Sequence, residues 1–304
     1  MHFKYNVKFD FMKHSKTFFT FSIIITILGA IFLLANGFNR GVDFKAGTSL
    51  DISASQSMPK AKVQELITAA GFPKGIITPG EERVSIRFDR VLSQEEVEKL
   101  KTGFTTAFGK DVSLEENTVD TTLAQELASK AIYAVMIASL FILIYVAFRF
   151  EWRFGVAAIV ALLHDAFIVI SVFSIFQIEV NLTFVAAILT IIGFSINDTI
   201  VIFDRIRENL RFSKLKTYDD LKHLINVSVG QTFTRSINTV LTVFIGALLL
   251  FILGGESIRN FSLAMLLGLV CGAYSSIMIA SPLWALLKKG SLTKPKKALV
   301  GAKE

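Results

Sequence analysis

The sequence predicts an α-helical polytopic membrane protein: six transmembrane helices, with one α+β, ferredoxin-like extracytoplasmic domain between helices one and two. Three observations carry that prediction. The 304-residue chain is 52% hydrophobic, with 28 Phe and a mean hydropathy of +0.56. Its apolar residues gather in six runs, 18–35, 131–148, 154–176, 182–203, 233–253 and 261–287, each near the ~20 residues that cross a hydrocarbon core. Between the first two runs lie 92 residues, 37–128, whose apolar positions keep the shorter periods of strands and amphipathic helices. Six core helices this apolar do not fit inside a soluble domain of this size.

In chain order, residues 1–17 form a cytoplasmic tail and 18–36 the first helix. That run exceeds the ~7–15 residues of a signal-peptide core, and Leu34-Ala35-Asn36 is a poor small-x-small cleavage site, so the segment is expected to stay as an anchor. The outer domain, 37–128, reads βαββαβ. Leu50 to Ala54 alternate as a half-buried strand, and Ser57 is placed to cap a helix striped with Val63, Leu66, Ile67 and Ala70. A short strand at 75–78 and an alternating one at 84–88 follow. Ser93-Gln94-Glu95-Glu96 is a capping box before Val97, Leu100, Phe104 and Phe108, and Val112 with Leu114 begins a closing strand. That order is the split-βαβ arrangement. The domain has no Cys and no His, its carboxylates sit on polar faces, and Gly41 and Asp43 read as a turn re-aiming the chain.

The five-helix region, 129–287, carries a cytoplasmic loop near 204–230, and a basic tail, 288–304, follows it. Lys and Arg orient the whole through the positive-inside bias. They cluster at Lys4, Lys8, Lys13 and Lys16, at Arg149 and Arg153, at Arg205 to Lys222, and at Lys288 to Lys303. All four clusters share one side if both termini are cytoplasmic, whereas the opposite short loops hold only Glu179 in one and Glu256 with Arg259 in the other. The net charge of +7 therefore belongs to the inner face, where it suits anionic membrane lipid. It does not indicate nucleic acid, since residues 37–128 hold 11 Lys+Arg against 14 Asp+Glu. Cys271 is the single cysteine, so no intrachain disulfide forms. No residues have metal-ligand spacing, and no phosphate-binding loop suggests ATP hydrolysis, so neither a cofactor nor an enzyme is expected.

Asn197-Asp198 interrupts the fourth run. Asp198 lies about 16 residues from Leu182, on the order of 24 Å along a helix. A charged Asp near mid-bilayer costs ~2.5–3.5 kcal/mol on insertion scales, so it is either neutral or paired with a cation. Arg235, in the fifth run, sits at comparable depth. Arg235, Asn238, Thr239 and Thr242 share one helix face, as Thr190, Gly193 and Asn197 do beside Asp198. Such faces turn toward a bundle interior or a wet cavity. Two other readings stay open: Arg235 snorkelling to the inner headgroups, and Asp198 joining helices as a neutral acid. His164-Asp165 in the third run reads as a polar pair packed between helices more readily than as a proton carrier.

The segment GFSINDTIVIFDRIREN (193–209) closely resembles the signature of the SecF family of bacterial protein-export membrane subunits. TRSINTVLT (234–242) is similar to that family's second signature; LLHDAF (162–167) and GVDFKAGTS (41–49) also fit. The resemblance covers essentially the whole chain. In GVDFKAGTS, Lys45-Ala46 stands where the family usually has Thr-Gly. The likeness implies a membrane fold of the resistance-nodulation-division type and a SecD partner of matching topology in a bacterial cytoplasmic (inner) membrane. It also implies contact with the SecYEG channel and its associated Sec components, and with the preprotein being drawn outward at the expense of the proton motive force. Asp198 matches the proton-coupling acid and Arg235 the intramembrane arginine that meets acids at the subunit interface, with Asn197 inside the same motif. The residues themselves leave H⁺ and Na⁺ both open as coupling ion. Two other classes of function are a small-molecule or lipid exporter and a non-transporting scaffold of the channel. No internal repeat covers the polar helix faces, which calls for a partner bundle.

Overall fold

The structure, a computed structural model, describes residues 9–80, 83–109, 111–213 and 215–292. Lys4, Lys8, Lys214 and the tail lysines from Lys294 onward lie outside them. Helix α1 (Ser15–Asn36) leads to a one-turn helix α2 (Val42–Lys45) and then to the outer domain. That domain consists of β1 (Gly47–Ser53), α3 (Lys60–Ala69), β2 (Ile76–Pro79), β3 (Arg83–Phe88), α4 (Gln94–Phe108) and β4 (Ser113–Val119). The four strands are antiparallel in the order β2-β3-β1-β4, as a ferredoxin-like domain requires.

Alternation sets the two faces of the sheet. Leu50 pairs with Ile86, and Ile52 with Val84. These four side chains are buried together with Val63 and Ile67 of α3 and with Val97, Leu100, Phe104 and Phe108 of α4. The capping box forms: Ser93 Oγ accepts from Glu96 N–H (3.3 Å), and Glu96 Oε2 accepts from Ser93 N–H (2.9 Å). Ser57 does not cap α3. That helix starts at Lys60 after Pro59, whose fixed φ suits a helix entry and whose carbonyl accepts from Lys62 and Val63 N–H. The opposite, polar face of the sheet turns toward the membrane helices.

Those helices are α5 (Thr121–Arg149), α6 (Trp152–Ile175), α7 (Leu182–Phe212), α8 (Tyr218–Leu253), α9 (Glu256–Ser275) and α10 (Ser281–Leu292). A π-turn, Ser276–Ala280, joins the last two into one span. With α1, six helices among the described residues are long and apolar enough to cross a membrane. Pro282 has no N–H to return to the carbonyl four residues back, which accounts for a widened turn at this point. Helix α7 packs against α8 and α9, and α1 lies along α6. Gly268 of α9 lets the helices close up, because a Cβ there would strike the side chain of Ile191. Phe154 stacks on the buried Trp284, with ring centroids 4.5 Å apart.

Residues 204–230 are not a loop but mainly helix, since α7 runs to Phe212 and α8 begins at Tyr218. Ile206 continues the apolar stripe of Ile202 and Phe203 beyond the expected span. They join one buried cluster with Leu221, Ile225 and Val229 of α8. The charges lie outside that stripe, for example Arg205 with Glu208 (2.6 Å), so charge there marks a helix face rather than a break. Arg149 holds Asp204 at 2.7 Å and ties the end of α5 to α7.

Candidate functional site

Asp198 lies in the middle of α7 and is partly buried. Its Oδ1 accepts a hydrogen bond from Ser236 Oγ of α8. Its Oδ2 is shielded from solvent and has no hydrogen-bond partner among the described residues. Arg235, expected to pair with it, is not within 4.0 Å of the carboxylate. Helix phase explains the difference. Successive residues on a helix point about 100° apart, so Arg235 and Ser236 cannot both face α7. Ser236 takes the inward position, 1% exposed, while Arg235, Asn238, Thr239 and Thr242 form the outward face of α8. The four residues do share a face, as their spacing indicates, but that face is open along this chain.

Two clefts lie along this part of α7, and the acid lines one of them. The smaller, about 20 Å³, is lined by Ser195, Asn197, Asp198, Thr239, Gly268 and Gly272. The larger, about 520 Å³, is lined by Asn197, Asp204, Glu208, Gln231 and Arg235 among others. Asn197 borders both, so it sits between the Asp198 side and the Arg235 side of α7.

A second acid is packed more tightly. Asp165 of α6 is 1% exposed, and its Oδ2 accepts from Ser195 Oγ of α7 and from Ser275 Oγ of α9, each at 2.6 Å. His164 Nδ1 lies 3.1 Å from Oδ1. One residue on, Ser276 Oγ meets Thr199 Oγ1 at 3.0 Å. Three helices thus converge on Asp165, and the His164-Asp165 pair is oriented by its neighbours. The serines escaped the sequence reading. Their one visible signal was the Ser275-Ser276 doublet inside an apolar run.

At the outer end of the bundle, Asp43 is buried rather than a plain turn residue. Its Oδ2 accepts from the backbone N–H of Leu182 (2.9 Å), and its Oδ1 accepts from Asn117 Nδ2 (3.2 Å). Beside it the chain at 39–41 runs along 178–180: Val180 N–H donates to the Asn39 carbonyl (2.8 Å) and Gly41 N–H to the Val180 carbonyl (2.9 Å). Arg87 of β3, buried, donates to the Asn39 side chain and the Arg40 carbonyl, both at 2.9 Å, and lies 3.6 Å from Glu179. Arg83 donates to the Gly254 carbonyl. No group of three or more His, Cys, Asp or Glu residues suited to a metal ion occurs among the described residues.

Six membrane-length helices packed around buried acids, with a ferredoxin-like domain fastened over one end of them, define a multi-pass membrane protein. Residues 99–290 match the family described as protein export membrane protein SecD/SecF, C-terminal, and residues 31–58 match the SecD/SecF GG motif. A protein translocase subunit SecF of Alicyclobacillus acidocaldarius is 44% identical over 293 residues, which span 94% of this chain and 95% of that protein. A protein translocase subunit SecDF of Bacillus subtilis is 46% identical over 290 residues, 94% of this chain but 39% of that one. The crystal structure of SecDF from Thermus thermophilus superposes with a TM-score of 0.83 at 34% identity, over 95% of this chain and 40% of its own. The chain thus spans nearly the whole SecF relative and about two fifths of each SecDF protein. It belongs to the SecF proteins of the SecD/SecF family.

Proposed function

We propose that this chain is an auxiliary subunit of the Sec translocase that couples the proton motive force to preprotein export across the cytoplasmic membrane, with Asp198 as the coupling acid. The observation that carries this reading is the half-satisfied carboxyl. Asp198 has one oxygen on Ser236 and one without a partner, in a span where an unpaired charge is costly. A proton arriving from one side neutralises the acid and leaves it with Ser236. Its departure restores a charge that attracts Arg235, one residue away from Ser236 on α8. The two states favour different rotations of α7 against α8. Moving one charge through the membrane is worth ~2.3 kcal/mol per 100 mV, enough to bias a two-state arrangement more than tenfold.

Four relations support the wider setting. SecF and SecDF relatives carry the name protein translocase subunit. The SecDF relatives hold the counterpart of this chain in a longer one, which suits a SecD-like partner here. The open polar face of α8 needs such a cover, and the SecYEG channel with its preprotein is the natural substrate side. The basic clusters favour a cytoplasmic position for both termini, with residues 37–128 outside.

Export of a preprotein into inverted membrane vesicles, followed with and without a proton gradient, tests the coupling role. With Asp198→Asn the gradient-dependent part of export is expected to fall at least tenfold, while the ATP-driven part persists. Full gradient stimulation in that variant would remove Asp198 from the mechanism.

A further inference from the structure

The outer domain meets the bundle along a polar seam, and one carboxylate in that seam bonds to both sides. Asp43 accepts from Asn117 of β4 at 3.2 Å and from the N–H of Leu182, the first residue of α7, at 2.9 Å. Asn181, which caps α7, spends its own side chain on Phe184 N–H (3.0 Å), so Asp43 supplies the other acceptor to that turn. A negative charge is favoured at this end of a helix. From Leu182 the helix continues unbroken to Phe212 and carries Asp198 on the way. The other contacts do not reach α7 itself: Arg87 holds the strap at residues 39–40 and lies 3.6 Å from Glu179 in the loop before α7, and Arg83 holds the loop after α8. Asp43 borders a polar cavity of about 200 Å³, shared with Ser49, Asp51, Ser85 and Asn117. Its two bonds can therefore be exchanged for bonds to water without opening a void.

We propose that Asp43 is the joint through which displacement of α7 reaches the outer domain, a positioning carboxylate rather than an ion carrier. The proposal rests on the reading of Asp198 as coupling acid and assigns the mechanical step that follows it. A joint of this kind needs both bonds at once. Asp43→Ala removes both acceptor oxygens, and Asn117→Leu cuts only the side toward β4.

The test uses the full chain with its partner in proteoliposomes. Cys271→Ala removes the native thiol, and spin labels are placed through Glu65→Cys on α3 and Leu253→Cys at the outer end of α8. The distance between labels is measured with and without a proton gradient, beside gradient-driven export. A gradient-dependent shift is expected in the parent protein. It should be lost in Asp43→Ala and in Asn117→Leu, with export falling several-fold although both variants still co-purify with the partner. A shift of full size in either variant overturns the joint, as does a parent protein whose labels do not respond to the gradient. Should Asp43→Ala fail to assemble, Asn117→Leu alone decides. Asp198→Asn separates the two ideas. If it abolishes the shift while the Asp43 and Asn117 variants do not, the joint fails and the coupling acid stands. If it leaves the shift intact while they abolish it, the acid fails and the joint stands.

Discussion

Two carboxylates in this bundle differ in how many bonds a proton would disturb. Asp165 receives two short hydroxyl bonds on one oxygen and the imidazole of His164 on the other, so every acceptor position facing the protein is in use. Asp198 receives one, and a proton on its bare Oδ2 would break none. On that asymmetry the proposed coupling role falls to Asp198, while Asp165 ties three helices together. A different residue-scale effect sits at the entry to the outer domain. Ala46 adopts φ 66°, ψ 150°, a conformation open chiefly to glycine, and Gly47 follows at φ 139° with no room for a Cβ beside the Phe88 carbonyl. An alanine held in that region costs about 1–3 kcal/mol, of which a glycine gives back roughly 0.5–1 kcal/mol in chain entropy. Ala46→Gly is therefore expected to raise the thermal unfolding midpoint of the detergent-solubilised protein, by about 1 kcal/mol of stability. A lowered midpoint would show that the backbone there is unstrained.

At the scale of elements, helix α4 offers a pH-dependent measurement outside the membrane. Glu96 closes the capping box and is also held by Arg90 at 2.7 Å. The Arg90 bond first, and then the Ser93 N–H bond, hold its carboxyl below the ordinary glutamate value of 4.5. A group depressed in the folded state stabilises above its ordinary pKa and loses that effect as pH falls through the folded value. Unfolding of the outer domain should thus become easier as pH drops below 4.5, and Glu96→Gln should flatten that dependence when circular dichroism melts are compared across pH. An equally steep dependence in the variant would assign the effect to other carboxylates. This domain was legible from the sequence because water marks one face of each element: Leu50 and Ile52 alternate with Asp51, and Val97, Leu100 and Phe104 stand out against Glu and Lys. Inside the membrane that contrast fails. The lipid-facing side of α8 is as apolar as its packed side, so hydropathy located the span but not its rotation. The inward Ser236 and the outward Arg235 could not be told apart for that reason. The same loss of contrast hid Ser195 and the Ser275-Ser276 doublet, whereas the charges of 204–230 hid the buried stripe of Ile206 beneath them.

For the molecule as a whole, the surface along α8 is the feature that one chain leaves incomplete. Arg235, Asn238, Thr239 and Thr242 are exposed along a helix that otherwise presents Leu241, Ile245 and Leu249 outward. Polar side chains are costly against acyl chains and are spared that cost by a neighbouring bundle with its own polar face. The SecDF relatives, in which a counterpart of this chain occupies only about two fifths of the length, contain the mass such a neighbour would need. Alternative covers are lipid alone or a second copy of this chain, and size separates them. Thr242→Trp adds a large side chain to this exposed face about one turn beyond the small cleft at Asp198. The variant is expected to insert and fold as the parent does but to lose most of its partner during affinity purification from membranes, read as the ratio of the two chains on a gel. Retention of a larger partner at the parent ratio would place the interface on another helix. A loss of self-association in its stead would identify the neighbour as a second copy.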